Sequence, residues 1–87
     1  MHETGLIGDL VHRLEAAARD AGAEGVSGVE VWLGAFSQMS AEHFRQHFDE
    51  EVRGTVAEGA KLKLEVSNDL DDPRAQSVVL QSVELKV

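Results

Sequence analysis

Apolar residues at the start of the chain fall at Leu6, Ile7, Leu10, Val11, Leu14, Ala17, Ala18 and Ala21. Steps of three and four place them on one stripe of an α-helix over about Thr4–Ala21. Gly22 supplies the stop, and Asp9, Arg13 and Asp20 fall on the solvated side. The period then changes to two. Val29, Val31 and Leu33 alternate with Glu30, Trp32 and Gly34, a half-buried strand that Gly34-Ala35-Phe36-Ser37 brings to an end. Ser40 is placed to cap a second helix over about Ala41–Arg53, in which Phe44, Phe48 and Val52 recur every four residues ahead of Gly54. Leu62, Leu64 and Val66 alternate with Lys61, Lys63 and Glu65 in a second one-sided strand. Beyond the polar loop Ser67–Arg74, Val83, Leu85 and Val87 alternate with Ser82, Glu84 and Lys86 in a third.

The order is α-β-α-β-β. A helical crossover between the first two strands predicts a parallel pair, and the short acidic loop predicts an antiparallel last pair. The expected architecture is α+β: a two-layer sandwich with two helices on one face of a three-stranded mixed sheet, forming one domain over residues 1–87. The other face of the sheet would carry Glu30, Trp32, Lys61, Lys63, Glu65, Glu84 and Lys86. Trp32 has two readings there: a ring covered by lysine stems and the connecting loop, or a contact residue for a partner or a second copy.

Composition narrows the function. In 87 residues, 8 Lys and Arg stand against 16 Asp and Glu, a formal net charge of −8. That acidity argues against nucleic acid and anionic membrane surfaces, both of which demand clustered cations. The absence of cysteine excludes disulfides, iron–sulfur clusters, thiolate zinc sites and cysteine nucleophiles. With no long apolar run and no basic stretch ahead of one, a cytoplasmic location is expected.

Among residues that bear chemistry, Met1-His2-Glu3 stands out. A free α-amine, the next amide nitrogen and the His2 imidazole can close adjacent chelate rings, a near-planar nitrogen set that suits Ni(II) or Cu(II). A solvated terminal histidine is the plainer alternative. His43 and His47 stand one turn apart on the second helix and can share a metal ion, with Glu51 as a third ligand. Two solvated helix histidines are the alternative, and Phe44 stands where a zinc protease needs its glutamate. His12 reads as a residue at the boundary of the first helix's apolar stripe. Asn68–Asp72 lacks the turn glycine and distal glutamate of a calcium loop. The glycines form no phosphate loop and the serines no triad, so no enzymatic chemistry is indicated.

Several pieces together resemble a known family. Met1-His2-Glu3 opens an amphipathic helix, Gly22-Ala23 leads towards the Val29 strand, and Leu33-Gly34 and Phe36-Ser37 follow it. Phe44, Phe48, Arg53-Gly54-Thr55 and Ala57-Glu58-Gly59-Ala60 then precede Leu62, and Ser82-Val83-Glu84 opens the last strand. This pattern is similar to the HypA/HybF nickel metallochaperones of [NiFe]-hydrogenase maturation. The resemblance implies a nickel site built from the terminal amine, nearby amide nitrogens and the second-position histidine, here Met1, His2 and Glu3. It implies Ni(II) as a transient cargo, and as partners a maturation GTPase and the large subunit of the nickel enzyme; apart from the resemblance, a small sheet with open edges, together with Trp32, could pair two copies into a homodimer. Members of that family carry a zinc domain with two Cys-x-x-Cys pairs between the second and last strands. Here the interval is the cysteine-free loop 67–74, so no zinc is expected and the chain reads as a single nickel-binding domain with that insertion replaced.

A nickel carrier assisting maturation of hydrogenase or another nickel enzyme is therefore the leading expectation. A metal-independent adaptor derived from the same family is its alternative, and a hydrolase using His43 and His47 a third reading. Copper confounds any simple metal assay, because an isolated nitrogen site binds Cu(II) more tightly than Ni(II).

Overall fold

The computed structural model describes residues 3–37 and 39–87, with side chains from residue 5 onward except residue 38. Its elements are α1 (Glu3–Asp20), β1 (Gly25–Leu33), α2 (Ala41–Glu51), β2 (Lys61–Val66) and β3 (Val78–Lys86). The α-β-α-β-β order and the mixed α+β architecture are as the hydrophobic pattern predicts.

α1 closes on a Schellman motif. Ala23 N–H donates to Ala18 C=O at 2.9 Å and Gly22 N–H to Arg19 C=O at 3.1 Å, with Gly22 in the left-handed region at φ 66°. α2 opens on Ser40, whose hydroxyl accepts from His43 N–H at 3.1 Å. It stops at Glu51 with Val52 as its cap, two residues short of the expected end, and the Thr55 hydroxyl donates to Val52 C=O at 2.7 Å.

The sheet order is β2-β1-β3, with β1 parallel to β2 and antiparallel to β3. The expected antiparallel pairing of the last two strands is thus corrected: β3 runs opposite to β2 but pairs with β1. Two facts explain it. β1 is shielded along most of its length on both faces, a burden only a central strand carries. The connection over residues 67–77 is longer than a hairpin loop and crosses the end of β1. Ser67 N–H donates to Leu33 C=O at 2.9 Å on one side, and Gly34 N–H to Ser77 C=O at 2.9 Å on the other.

Ile7, Leu10, Val11, Leu14 and Ala18 of α1 pack with Phe44, Phe48 and Val52 of the second helical segment over Val26, Val29, Val31, Leu33 and Leu62 of the sheet. Phe44 and Phe48 are fully buried, their rings stacked with centroids 6.4 Å apart. Arg45 donates to Leu62 C=O at 3.1 Å and ties α2 to β2. No described helix is long and apolar enough to cross a membrane.

On the opposite face of the sheet, Lys61, Lys63, Glu65, Glu84 and Lys86 are exposed as expected, and the Ser82 hydroxyl donates to Glu30 Oε1 at 3.4 Å. Trp32 is not: it is only 6% exposed. The Arg74 guanidinium lies 4.7 Å from its ring centroid, and Asp72 Oδ1 accepts from Arg74 N–H at 2.8 Å. Between the two readings of Trp32, the structure selects the covered ring over the partner contact. A cation that is itself exposed to water, as Arg74 is, contributes about 0.5–1 kcal/mol when stacked on a ring. Arg74→Ala should therefore lower stability only slightly while making Trp32 emission markedly more quenchable by acrylamide. Unchanged quenching would show that Arg74 does not shield the ring.

Candidate metal centre

The two helices share one direction. α1 reverses into β1 through residues 21–24, and α2 links two parallel strands, so both helices run opposite to β1. They also touch: Glu51 Oε2, at the end of α2, lies 4.0 Å from where a Cβ on Gly8 would stand. At a rise of about 1.5 Å per residue, stepping back from this contact brings the backbone of Glu3 and that of His47 to the same end of the helical layer.

Of the terminal donor set, Met1 and His2 lie outside the described residues, as does the side chain of Glu3; the Glu3 backbone forms the first residue of α1. His43 and His47 are brought together, with ring centroids 4.9 Å apart and planes inclined at 53°. His43 is exposed and His47 half-buried, on the flank of α2 beside the stripe that carries Phe44 and Phe48. Glu51 does not join them as a third ligand, because its carboxylate reaches α1 instead. Among the described residues no group of three or more His, Asp or Glu side chains is gathered closely enough to hold a metal ion.

The remaining candidates resolve simply. His12 is exposed on α1. In the acidic loop the carboxylates turn inward on their own backbone: Asp69 Oδ1 accepts from Asp71 N–H at 3.0 Å and Asp72 Oδ1 from Arg74 N–H at 2.8 Å. These are Asx turns, the ordinary use of aspartate in a solvated loop. The sequence pattern did not reveal the Gly8–Glu51 approach. Only the pairing of a side-chain-free position on α1 with a carboxylate at the end of α2 hints at it.

Architecture and chemistry together define a small α+β domain that carries a histidine pair on its second helix. A family model described as hydrogenase/urease nickel incorporation, metallochaperone, hypA, matches residues 1–69. The hydrogenase maturation factor HypA of Escherichia coli K12 is 42% identical over 65 residues, which make up 75% of this chain and 56% of that protein. HypA of Chlorobium limicola is 37% identical over 65 residues with the same coverage. The solution structure of the Ni metallochaperone HypA from Helicobacter pylori superposes with a TM-score of 0.82 at 20% identity, covering 99% of this chain and 98% of that one. A further solution structure of HypA protein gives 0.79 at 18% identity, covering 98% and 96%. The chain belongs to the HypA family, and it spans 56% of the length of the Escherichia coli relative.

Proposed function

We propose that this protein is a nickel carrier that takes up Ni(II) as cargo at its N-terminus and delivers it during maturation of a nickel enzyme. The observation that carries this reading is that the family match begins at residue 1 and includes Met1-His2-Glu3 intact. The donor set supports it independently of kinship. An α-amine, an amide nitrogen and an imidazole form fused chelate rings in the near-square geometry that Ni(II) accepts. A dication at the positive end of α1 is disfavoured by the helix dipole, and deprotonated amide ligands cancel that charge. The role is that of a carrier rather than a catalyst, and its receivers by kinship are a maturation GTPase and the large subunit of a [NiFe]-hydrogenase or another nickel enzyme.

The chain works as one domain with oxygen and nitrogen donors alone. By the family resemblance the loop at 67–74 stands in for a zinc module, and the absence of cysteine leaves no thiolate for zinc there.

The test is a Ni(II) titration of untagged protein with its native Met1, compared with His2→Ala. Loss of the tight nickel class in His2→Ala, with an unchanged circular dichroism spectrum, is the expected result. Equal affinity in both proteins would remove the N-terminal site. A native protein that binds no nickel yet still docks on the maturation GTPase would be the metal-independent adaptor.

A further inference from the structure

We infer that β3 is a self-recognition edge: two copies of this chain pair along it, antiparallel about a two-fold axis, into one continuous sheet with three strands from each copy. The pairing requires no metal and stands apart from the carrier reading above.

The order β2-β1-β3 leaves two edges, and they are built differently. Backbone groups of a strand point alternately to its two sides. Ser67 N–H bonds to Leu33 C=O, so Lys61, Lys63 and Glu65 turn their backbone groups to β1, and Leu62, Leu64 and Val66 turn theirs outward. On that outward side Arg45 holds the Leu62 carbonyl at 3.1 Å, while Lys61 and Lys63 add charge. Both are devices that guard an edge against further pairing. On β3, the bond from Gly34 N–H to Ser77 C=O turns Val79 towards β1. Beyond the register shift at Gln81, Ser82, Glu84 and Lys86 take over that role. The residues whose N–H and C=O face away from the sheet are therefore Val78, Leu80, Val83 and Leu85. Their side chains pack towards the helical layer and are only half-buried.

The spacing of these four is two, three, two, which reads the same in either direction. Laid antiparallel on itself, the edge sets Val78 opposite Leu85 of the second copy and Leu80 opposite Val83 of the second copy. A register shift normally spoils an edge for pairing, because one strand is then a residue too long. Here the shift lies at the centre of the palindrome, so both strands carry the same extra residue at the axis. Four pairs result, each joining a valine to a leucine and exchanging two hydrogen bonds, about eight in all. On the other face Val79 meets Glu84 of the second copy and Ser77 meets Lys86. No like charges stand opposite each other along the strand, although each copy carries a net charge of −8.

A cavity supplies the second observation. About 220 Å³ lies open between α1 and the start of β3, lined by Leu6, Leu10, Val78 and Leu80 with Asp9 and Arg13 at its rim. The pairing brings Leu85 and Val83 of the second copy beside Val78 and Leu80, at the mouth of this space. Apolar side chains from the second copy thus cover the apolar lining. Trp32, already covered within its own chain, takes no part.

The experiment is sedimentation equilibrium of the full chain in chelator-treated buffer, so that no metal bridges two copies. A monomer–dimer equilibrium is expected. Val79→Glu sets like charges opposite Glu84 on both sides of the axis and should weaken the dimer about tenfold or more. Val79→Lys, with opposite charges there, should dimerise at least as well as the native chain. Val79→Glu combined with Glu84→Lys should recover what Val79→Glu alone loses. Circular dichroism checks each fold. Amide hydrogen exchange of the native chain gives a reading that no substitution can disturb. The amides of Val78, Leu80, Val83 and Leu85 should exchange more slowly as protein concentration rises, while those of Val79, Ser82 and Glu84 are protected at every concentration. A chain that stays monomeric at all concentrations would overturn the proposal. So would a dimer equally stable in Val79→Glu and Val79→Lys, or concentration-dependent protection that falls on Leu62, Leu64 and Val66 instead.

Discussion

Acetylating the α-amine of Met1 is expected to weaken the tight nickel class by about a hundredfold or more, the effective-concentration advantage that a linked donor supplies, while leaving the fold unchanged. An acetylated amine is an amide, so the neutral anchor nitrogen of the chelate is lost and the His2 imidazole is left with amide partners that no longer have the metal held beside them at the amine to promote their deprotonation. A glycine added ahead of Met1 is a sharply different change. Amine, two amides and imidazole then still lie within fused rings, and nickel binding should persist. A site that depended on the His2 side chain alone would treat both modifications alike, so indifference to acetylation would sink the N-terminal assignment. The same donors set the pH response. Amine and imidazole must both shed protons to bind, so affinity should fall steadily as pH drops from about 8 to about 6, through their ordinary ranges. A flat profile would contradict a site made of these groups.

Gly34→Ala is expected to be the most damaging single methyl that can be added to the sheet. Gly34 follows β1 directly and is buried beneath the returning chain. Its N–H donates to Ser77 C=O at 2.9 Å, while Phe36 N–H donates to Ala75 C=O at 2.6 Å. A Cβ on Gly34 would overlap the backbone carbonyls of both Arg74 and Ala75, which have no flexible end to swing aside. Relief demands that the segment 74–77 lift, which breaks these hydrogen bonds and uncovers Trp32. Overpacking of this kind costs about 2–3 kcal/mol, a large part of the stability of a small domain. For a chain of this length that corresponds to a fall in Tm of roughly 10–20 °C, readable by thermal circular dichroism. An unchanged Tm would mean that the loop does not rest on Gly34.

The sequence pattern is most informative where a period runs unbroken. α1 and α2 were legible from their stripes, and β2 from Leu62 and Leu64, because each presents a single face to one core, although Val66 at the end of β2 is exposed. β1 and β3 were only half legible, for one shared reason. β1 begins at Gly25, but register shifts between Val26 and Gly28 and between Glu30 and Val31 interrupt the alternation. On β3 the inward residues Val78, Leu80, Val83 and Leu85 are spaced two, three and two, so the strand before Ser82 is hidden behind the break at Gln81. Strand order was beyond a local pattern altogether. It depends on what lies on both edges of β1, and no window of consecutive residues encodes that. The donor candidates were legible as residue types and spacings, whereas the reach of Glu51 to α1 followed only from how the two helices pack.

The crossing between β2 and β3 is clamped at both ends to adjacent residues at the end of β1, Ser67 on Leu33 and Ser77 on Gly34 just beyond it. Strand register is therefore set where this excursion leaves and returns, while its second half, from Asp72 onward, packs on Trp32 and Gly34. Each doubling of a flexible closed segment adds only about 0.6 kcal/mol of closure entropy. Chain can accordingly be gained or lost between residues 68 and 71 without shifting any strand's register, which makes this stretch a natural port for exchanging whole modules on an unchanged scaffold.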